Sequence, residues 1–312
     1  MTAQVGADWQ VEQLGRNVHR ITFDFRTRED VGWVLLRSDA HHDNPHSNNK
    51  LEEKHLQQAV ERNAAICDNG DAFCAMQGRW DKRSDKSALK PEHQVDNYLD
   101  ELVSTYADFL APYASHIAVL GTGNHETSIL KHHETNLTSR LTERLRTIKT
   151  NGPIYEGTYT GWCFMSAIRR QKKNAKKWKK TYAQTEGRLT KRLWRTHGYG
   201  GAAPVTKGVI QTNRRAVYVP DADIILSGHT HQEWYFPIQR VRVTNQGTVF
   251  QDTQWHVSLP SYKDSYGDGA SYGEWAIEKG MPPAPVGAAW LKFHIQAEKR
   301  KDHLLFDIER AT

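Results

Sequence analysis

The chain has 312 residues, of which 38% are hydrophobic and 25% charged, so it can bury a sizeable core and lacks the composition of a disordered chain. Its formal net charge of +6 favours polyanionic partners. No apolar run reaches membrane-spanning length, residues 1–30 mix charges throughout, and the three cysteines form no C-x-x-C pair. We therefore expect a cytoplasmic protein with buried thiols, no secretory signal and no membrane partner.

The elements can be predicted in chain order from the spacing of apolar residues. Strands are predicted at residues 17–25, 31–36, 64–67, 116–120, 160–168, 193–196 and 224–226, and antiparallel strands at 235–243, 247–251, 255–259, 290–295 and 303–308. Helical spacing predicts one helix over residues 51–65, a second from Pro91 to Phe109, and a third from Asn124 to Ile148. The sequence contains no repeat and no long linker, so we expect a single domain over residues 1–312.

Five of the predicted strands are followed closely by aspartate, asparagine or histidine. These residues are Asp39 and His41, Asp71, Asn124 and His125, His197, and the pair His229 and His231. Each pair alone is ordinary, since an Asp-x-His is usually a turn aspartate with a surface histidine. All five together predict a metal site, because strand ends in an open α/β sheet converge on one edge, where ligands bind.

The order of these motifs resembles that of the calcineurin-like metallophosphoesterases, whose pattern is D-x-H, G-D, G-N-H-[D/E], a lone H and G-H-T-H. The chain reads S-D-A-H, N-G-D-A, G-N-H-E, T-H-G and S-G-H-T-H, and the resemblance covers roughly residues 31–260. It implies an α/β fold, a two-sheet β-sandwich flanked by helices (αββα) in a single domain. One departure is that many members carry a further acid shortly after G-D, where this chain has residues 72–77, Ala-Phe-Cys-Ala-Met-Gln.

The resemblance also implies a site for two divalent ions. One ion would be held by Asp39, His41 and His231, the other by Asn124, His197 and His229, with the catalytic Asp71 bridging both. Mixed imidazole and carboxylate ligands suit transition metals, with Mn expected first and Fe, Zn, Co or Ni as alternatives. The implied reaction is hydrolysis of a phosphate ester by a metal-bridging hydroxide. His125 would protonate the leaving oxygen as general acid, and its alternative role is a capping or core histidine at the helix start.

A strongly basic insertion at about residues 169–193 is the main indication of the substrate. Because it precedes His197, we expect it to project from the strands that lead to the site. Its lysines alternate with Trp178 and Trp194, a composition that favours DNA or RNA and hence a nuclease. The candidate substrate contacts are Arg79, Arg83, Lys176, Lys177 and Lys180.

Two alternatives to a nuclease stay open. The lysine run can be an ordinary solvated surface, in which case the enzyme is a small-molecule phosphodiesterase or phosphatase acting on a nucleotide or phosphomonoester. The chain can also be a non-catalytic, metal-stabilised nucleic-acid-binding module. The sequence leaves the oligomeric state open.

Overall fold

The structure, a computed structural model, describes residues 4–76, 89–169, 187–201, 205–266, 280, 282–297 and 302–312. Within these residues two β-sheets are formed. The first has the strand order β1 (Trp9–Gly15), β2 (Val18–Phe25), β7 (Thr160–Arg169), β8 (Gly187–Thr196), β9 (Ile224–Ser227), β11 (Val249–Ser258) and β10 (Trp234–Val243). The second has the order β13 (Asp302–Arg310), β12 (Ala289–Ala297), β3 (Val31–Arg37), β4 (Ala65–Asp68), β5 (Ile117–Leu120) and β6 (Tyr155–Glu156).

The two sheets pack face to face, and the alternation of side chains along β3 shows how. Val34 and Leu36 point to the first sheet and join one apolar cluster with Ile21, Phe23 and Met165. The odd-numbered residues of β3 point the other way, into a second cluster with the helices. All seven residues of β3 are buried, because both faces of the strand are covered.

Helices cover the outer faces of the sandwich. The described helices are α1 (Asn49–Glu61), α2 (Tyr98–Leu110), α3 (Asn124–His133), α4 (Leu137–Ile148) and α5 (Val209–Tyr218). The first four contribute to the apolar cluster on the second sheet. On the first sheet, Val219 and Ala222 after α5 pack against Ile225 of β9. The αββα architecture predicted from the sequence is confirmed.

Two helix predictions were wrong at their ends. Residues 91–93 form only a 3₁₀ turn, and α2 begins after Asn97, which leaves Val95 43% exposed. The single helix predicted from Asn124 to Ile148 is two helices. Glu134 ends α3 in the left-handed conformation, and the Asn136 side chain starts α4 by accepting a hydrogen bond from the Ser139 amide at 3.0 Å.

The other predicted strands and the first helix overlap elements of the structure, with one merger, one longer strand and one mixed pairing. Residues predicted as two strands, 247–251 and 255–259, form the single strand β11. The strand β2 pairs antiparallel with β1 on one side and parallel with β7 on the other. All three cysteines are free and buried. In the described part of the chain, no helix combines the length and apolarity needed to cross a membrane.

Candidate metal centre

The candidate ligands come from both sheets and meet at one edge of the sandwich. The loops after β3, β4 and β5 of the second sheet carry Asp39 and His41, Asp71, and Asn124 and His125. The loops after β8 and β9 of the first sheet carry His197, and His229 with His231. Because β8 and β9 are parallel, their carboxyl ends lie side by side. The structure thus brings all eight predicted residues together.

The first group of donors consists of Asp39, His41 and His231. The His231 Nε2 atom lies 3.2 Å from Asp39 Oδ1 and 3.4 Å from His41 Nε2. Asp39 and His41 are buried, whereas the His231 side chain is 23% exposed. Their donor atoms lie within 4.8 Å of one another, which is close enough to surround one ion.

The second group consists of Asp71, His197 and His229, with Asn124 between the two imidazoles. The Asn124 Oδ1 atom lies 2.6 Å from His229 Nδ1 and 3.1 Å from His197 Nε2. The His197 Nε2 atom is also 3.1 Å from Asp71 Oδ2 and 3.9 Å from Asp39 Oδ1. These distances place His197 between the two carboxylates and bring the two groups next to each other.

His125 lies beside Asp71 rather than within either group of donors. Its backbone amide donates to Asp71 Oδ1 at 2.9 Å, and its Nδ1–H donates to the Cys74 carbonyl oxygen at 2.5 Å. The second ring nitrogen, Nε2, lies 3.8 Å from Asp71 Oδ2. The side chain is 11% exposed, so this nitrogen is within reach of a ligand at the centre.

The backbone around the donors adopts conformations that side chains rarely tolerate. Asp39, His41, Asp71, His229 and His231 all have positive φ, between 44° and 68°. Such non-glycine residues cost of order 1–3 kcal/mol each and concentrate at functional sites. The loops therefore keep costly backbone conformations at the residues whose side chains carry the donor atoms.

Close backbone approach at two glycines completes the arrangement. A Cβ at Gly228 would lie 2.6 Å from Asp39 Oδ2 and would also contact the Ser38 hydroxyl. A Cβ at Gly123 would overlap the Asp71 carboxylate and its amide nitrogen. Both glycines are required because the two carboxylates pack directly against the backbone of the neighbouring loop.

Buried polar groups fix the orientation of the donors. The His197 Nδ1–H donates to the Asn69 carbonyl at 3.0 Å, so Nε2 is the ring nitrogen that faces the centre and would offer its lone pair to a bound ion. The Glu126 carboxylate accepts hydrogen bonds from the backbone amides of Asp71, Phe73 and Gly123. Glu126 thereby joins the start of α3 to the loop after β4 and is not itself turned to the donors.

The pKa values show that the buried carboxylates and His197 stabilise one another's charged forms. Burial alone raises the pKa of the Asp39 carboxyl, but His197 and His231 bring it below its ordinary range. Burial likewise opposes the charged form of His197, yet Asp71 and Asp39 raise its pKa to about 10. Burial lowers the pKa of His41 well below its usual value, and His125 adds to this effect. Asp39 and Asp71 are therefore held in the charged form, in which carboxylates bind a metal ion.

The donor set fits two divalent transition-metal ions. Asp39 Oδ1 is buried, and its nearest polar contact is the ring nitrogen of another candidate ligand, His231 Nε2 at 3.2 Å, without hydrogen-bond geometry, although a buried carboxylate oxygen ordinarily has such a bond. The set combines imidazole nitrogens, carboxylates and one amide oxygen, which suits Mn, Fe, Zn, Co or Ni. Asp39, His41 and His231 would hold one ion, and Asp71, Asn124, His197 and His229 the other.

The predicted substrate contacts cannot be placed at this centre. Arg79, Arg83, Lys176, Lys177 and Lys180 lie outside the described residues. Trp194, predicted to offer a face for base stacking, is partly buried with Trp162 beneath the segment that follows α5. That packing occupies an aromatic face which a nucleobase would need.

The strand ends that carry the basic insertion lie at the opposite end of the sheet from the metal centre. In the antiparallel pair β7–β8, Thr160 pairs with Thr196 beside the centre, and Arg169 pairs with Gly187 nine residues further along. At roughly 3.3 Å per residue this separation is about 30 Å. The prediction that the insertion projects from the strands leading to the site agrees with this pairing, but the strand ends that carry it lie nine residues from Thr160 and Thr196 along extended strands.

Sequence reasoning did not identify Cys74 as part of the centre. Its sulfur lies 3.3 Å from His41 Nδ1, and its carbonyl oxygen accepts from His125. The missing acid after the G-D motif was the one available signal, since it marks Cys74 and its neighbours as a departure from the family pattern. Asn69, one residue ahead of that motif, carried no signal, because its backbone carbonyl makes the contact.

Comparisons with known proteins found similarity only at the level of structure. No protein-family model matches the sequence, and no curated protein matches it. The chain is similar to Vacuolar Protein Sorting 29 from Cryptosporidium parvum, with a TM-score of 0.34 and 12% identity over 90% of this chain and 99% of the other. It is also similar to a conserved uncharacterized protein from Streptococcus pneumoniae TIGR4, described as a predicted phosphoesterase, with a TM-score of 0.30 and 11% identity over 89% and 98%.

The assignment of the fold rests on the strand order and packing of this chain. Two mixed sheets with helices on both outer faces, and donor residues that follow β3, β4, β5, β8 and β9 in turn, agree with the resemblance to the calcineurin-like metallophosphoesterases. The class of protein defined by the fold and the centre is thus an α/β sandwich with candidate ligands for metal ions at one edge.

Proposed function

We propose that the protein is a metallophosphoesterase that hydrolyses phosphodiesters with two divalent metal ions. One observation carries this proposal: seven donor residues from both sheets converge at one edge around the buried Asp39 and Asp71 carboxylates. When bound, the two ions would lower the pKa of a water molecule and neutralise charge on the phosphoryl oxygens. With two ions the centre becomes net positive, which suits an anionic ester.

The residues of the chain supply orientation and a proton. Asp71 is held by the amide of His125 and lies against His197, so its position is fixed before any ligand arrives. His125 donates from Nδ1 to the Cys74 carbonyl, which leaves Nε2 to carry the proton that passes to the leaving oxygen. In this proposal His125 would act as the general acid, and the Asp71 carboxylate would help to hold both ions.

For the substrate we propose a nucleic acid, supported by the basic composition of the insertion and the net charge of +6. The geometry of β7 and β8 makes this proposal specific. A polymer that reaches both the centre and the strand ends at Arg169 and Gly187 must span about 30 Å, which is about nine base pairs at 3.4 Å each. Substrates shorter than this do not reach from the centre to these strand ends.

A small phosphate ester is the second candidate substrate, and the same observation favours it. If the insertion does not reach the centre from the far end of β7 and β8, the donors alone recognise the phosphoryl group. Affinity then depends on the metal ions and not on the basic segments, and neither the length of the substrate nor the salt concentration matters greatly.

The test is hydrolysis by protein loaded with Mn²⁺, with His229→Ala as the inactive control. Bis(p-nitrophenyl) phosphate tests the reaction, and oligonucleotides of 4 to about 30 nucleotides test the substrate. For a nucleic acid we expect activity to rise beyond about nine nucleotides or base pairs and to fall steeply with salt. Equal activity at all lengths and salt concentrations would select the small ester. Absence of hydrolysis with any transition metal would refute the enzyme and favour a binding module.

A further inference from the structure

The turn after β4 contains a buried cysteine whose polar atoms all have partners. Cys74 is 4% exposed. Its backbone amide donates to Asp43 Oδ1 at 2.6 Å, and the next amide, of Ala75, donates to Asp43 Oδ2 at 2.9 Å. Ala75 has a φ of 46°, so the turn is bent to reach the Asp43 carboxylate. Asp43 therefore fixes the position from which Cys74 makes its other contacts.

The sulfur of Cys74 contacts one of the candidate ligands. Sγ lies 3.3 Å from His41 Nδ1 and 3.2 Å from the Asn44 side-chain amide, which donates to it. For His41 to offer the Nε2 lone pair to an ion, its Nδ1 must carry the hydrogen, and that hydrogen then points at Sγ. The sulfur already accepts from the Asn44 amide, and it can accept from His41 Nδ1–H as well.

The carbonyl oxygen of the same residue contacts the candidate general acid. It accepts from His125 Nδ1 at 2.5 Å, which turns His125 Nε2 toward Asp71. One residue thus contacts both histidines, with different atoms. Only the sulfur depends on the side chain, and the carbonyl remains in any substitution.

We propose that Cys74 is a positioning residue of the metal centre, whose sulfur fixes the tautomer of His41 and whose carbonyl fixes the orientation of His125. This inference rests on the proposed function, in that both histidines are assigned roles there. Cys74 acts through these neighbours and does not itself contact the ion or the substrate.

The two contacts can be separated by substitution. Cys74→Ala removes the sulfur and retains the carbonyl, so the loss should fall on metal binding through His41 and not on proton transfer by His125. Cys74→Ser keeps a side-chain acceptor and should restore part of the binding. Cys163→Ala is the matched control, because it removes another buried thiol, from β7, that contacts neither histidine.

The experiment measures Mn²⁺ binding to metal-free protein by equilibrium dialysis. We expect Cys74→Ala to lower the affinity for one of the two ions about 10-fold. This is the typical effect of removing a hydrogen-bond partner of a metal-binding histidine. Cys163→Ala should bind as the wild type does, and Cys74→Ser should lie between. The dependence of kcat on leaving-group pKa should be unchanged in Cys74→Ala. Equal affinities in Cys74→Ala and Cys163→Ala would overturn the proposal.

Two spectroscopic measurements use the wild-type protein, so they do not depend on whether a variant folds. In Zn²⁺-loaded wild-type protein, long-range ¹H–¹⁵N correlations should show His41 protonated at Nδ1 and bound through Nε2, and the opposite assignment would overturn the proposal. In Co²⁺-loaded protein, an intense near-ultraviolet sulfur-to-metal charge-transfer band would make Cys74 a ligand and would overturn it too. Neither measurement needs turnover. If the protein binds metal but hydrolyses no phosphate ester, the proposed function is refuted and the role of Cys74 can still be tested.

Discussion

Replacing Arg37 by methionine should destabilise the protein strongly, because it removes a buried cation that two buried carboxylates share. Arg37 lies at the end of β3 and is 1% exposed. Its Nε donates to Asp68 Oδ2 and its Nη1 to Glu52 Oε1, both at 2.8 Å, and its Nη2 donates to the Tyr106 hydroxyl. Both carboxylates are at most 1% exposed, so neither can regain water without local unfolding.

The magnitude follows from the charges left behind. Arg37→Met leaves Glu52 and Asp68 buried as a like-charged pair without their shared cation. Removing one partner of a buried ion pair typically costs about 3–5 kcal/mol, a large share of the roughly 5–15 kcal/mol by which domains are stable. Because Arg37 and Asp68 lie two and three residues before Asp39 and Asp71, the loss should also weaken metal binding in the molecules that remain folded.

The assay is urea denaturation of metal-free protein at pH 7, read as the free energy of unfolding. Arg26→Met is the control, since Arg26 Nη2 also forms an ion pair at 2.8 Å, with Asp8 Oδ2, but both side chains are 70% exposed. We expect the control substitution to lower the free energy of unfolding by about 1 kcal/mol or less. A loss below about 1 kcal/mol in Arg37→Met would refute the reasoning, because it would mean that the buried carboxylates do not depend on the arginine.

Three further predictions concern activity, metal binding and pH. His125→Ala should lower kcat about 10²–10⁴-fold for an alkyl leaving group and far less for p-nitrophenolate, which needs no proton, and equal losses would contradict the acid role. Gly228→Ala should weaken Mn²⁺ binding at least about 10-fold, because the new Cβ would lie 2.6 Å from Asp39 Oδ2, and an unchanged affinity in dialysis would contradict it. Burial and the nearby Arg195 lower the pKa of His19 to about 4 in the folded protein, so its contribution to stability is complete above about pH 6.5 and is lost as the pH falls toward 4. His19→Leu should remove this part of the acid-induced loss in unfolding free energy, whereas the exposed His132→Gln should retain it.

The donor residues were predictable because each one directly follows a strand with a clear apolar pattern. The course of a parallel strand then determines where its last residues lie, and Asp39, Asp71 and His197 needed no further information. The break between α3 and α4 was not predictable in the same way. The apolar spacing continues across Glu134, and only the left-handed backbone there and the Asn136 side chain end one helix and start the next.

Other features of the centre depend on contacts between segments that are distant in sequence. The contacts of Cys74 join its own turn to two other segments, the loop that holds His41 and Asp43 and the start of α3 at His125, and no periodicity relates them. The place where β7 and β8 end was not predictable for a different reason. The sequence indicates that β8 leads to His197 but gives neither the length of β8 nor its pairing with β7, and these two facts put the strand ends at Arg169 and Gly187 far from the centre.

The division of the donors between the two sheets has a consequence for the whole sandwich. Ions bound between Asp39 and His231, and between Asn124 and His229, would act as cross-links from one sheet to the other at an edge with no disulfide nearby. Chelation would then open that edge first. At a free metal concentration 100 times the dissociation constant, each ion would add about 2.7 kcal/mol to the free energy of unfolding. Metal supply would thereby regulate how long the folded chain persists, independently of any reaction it catalyses.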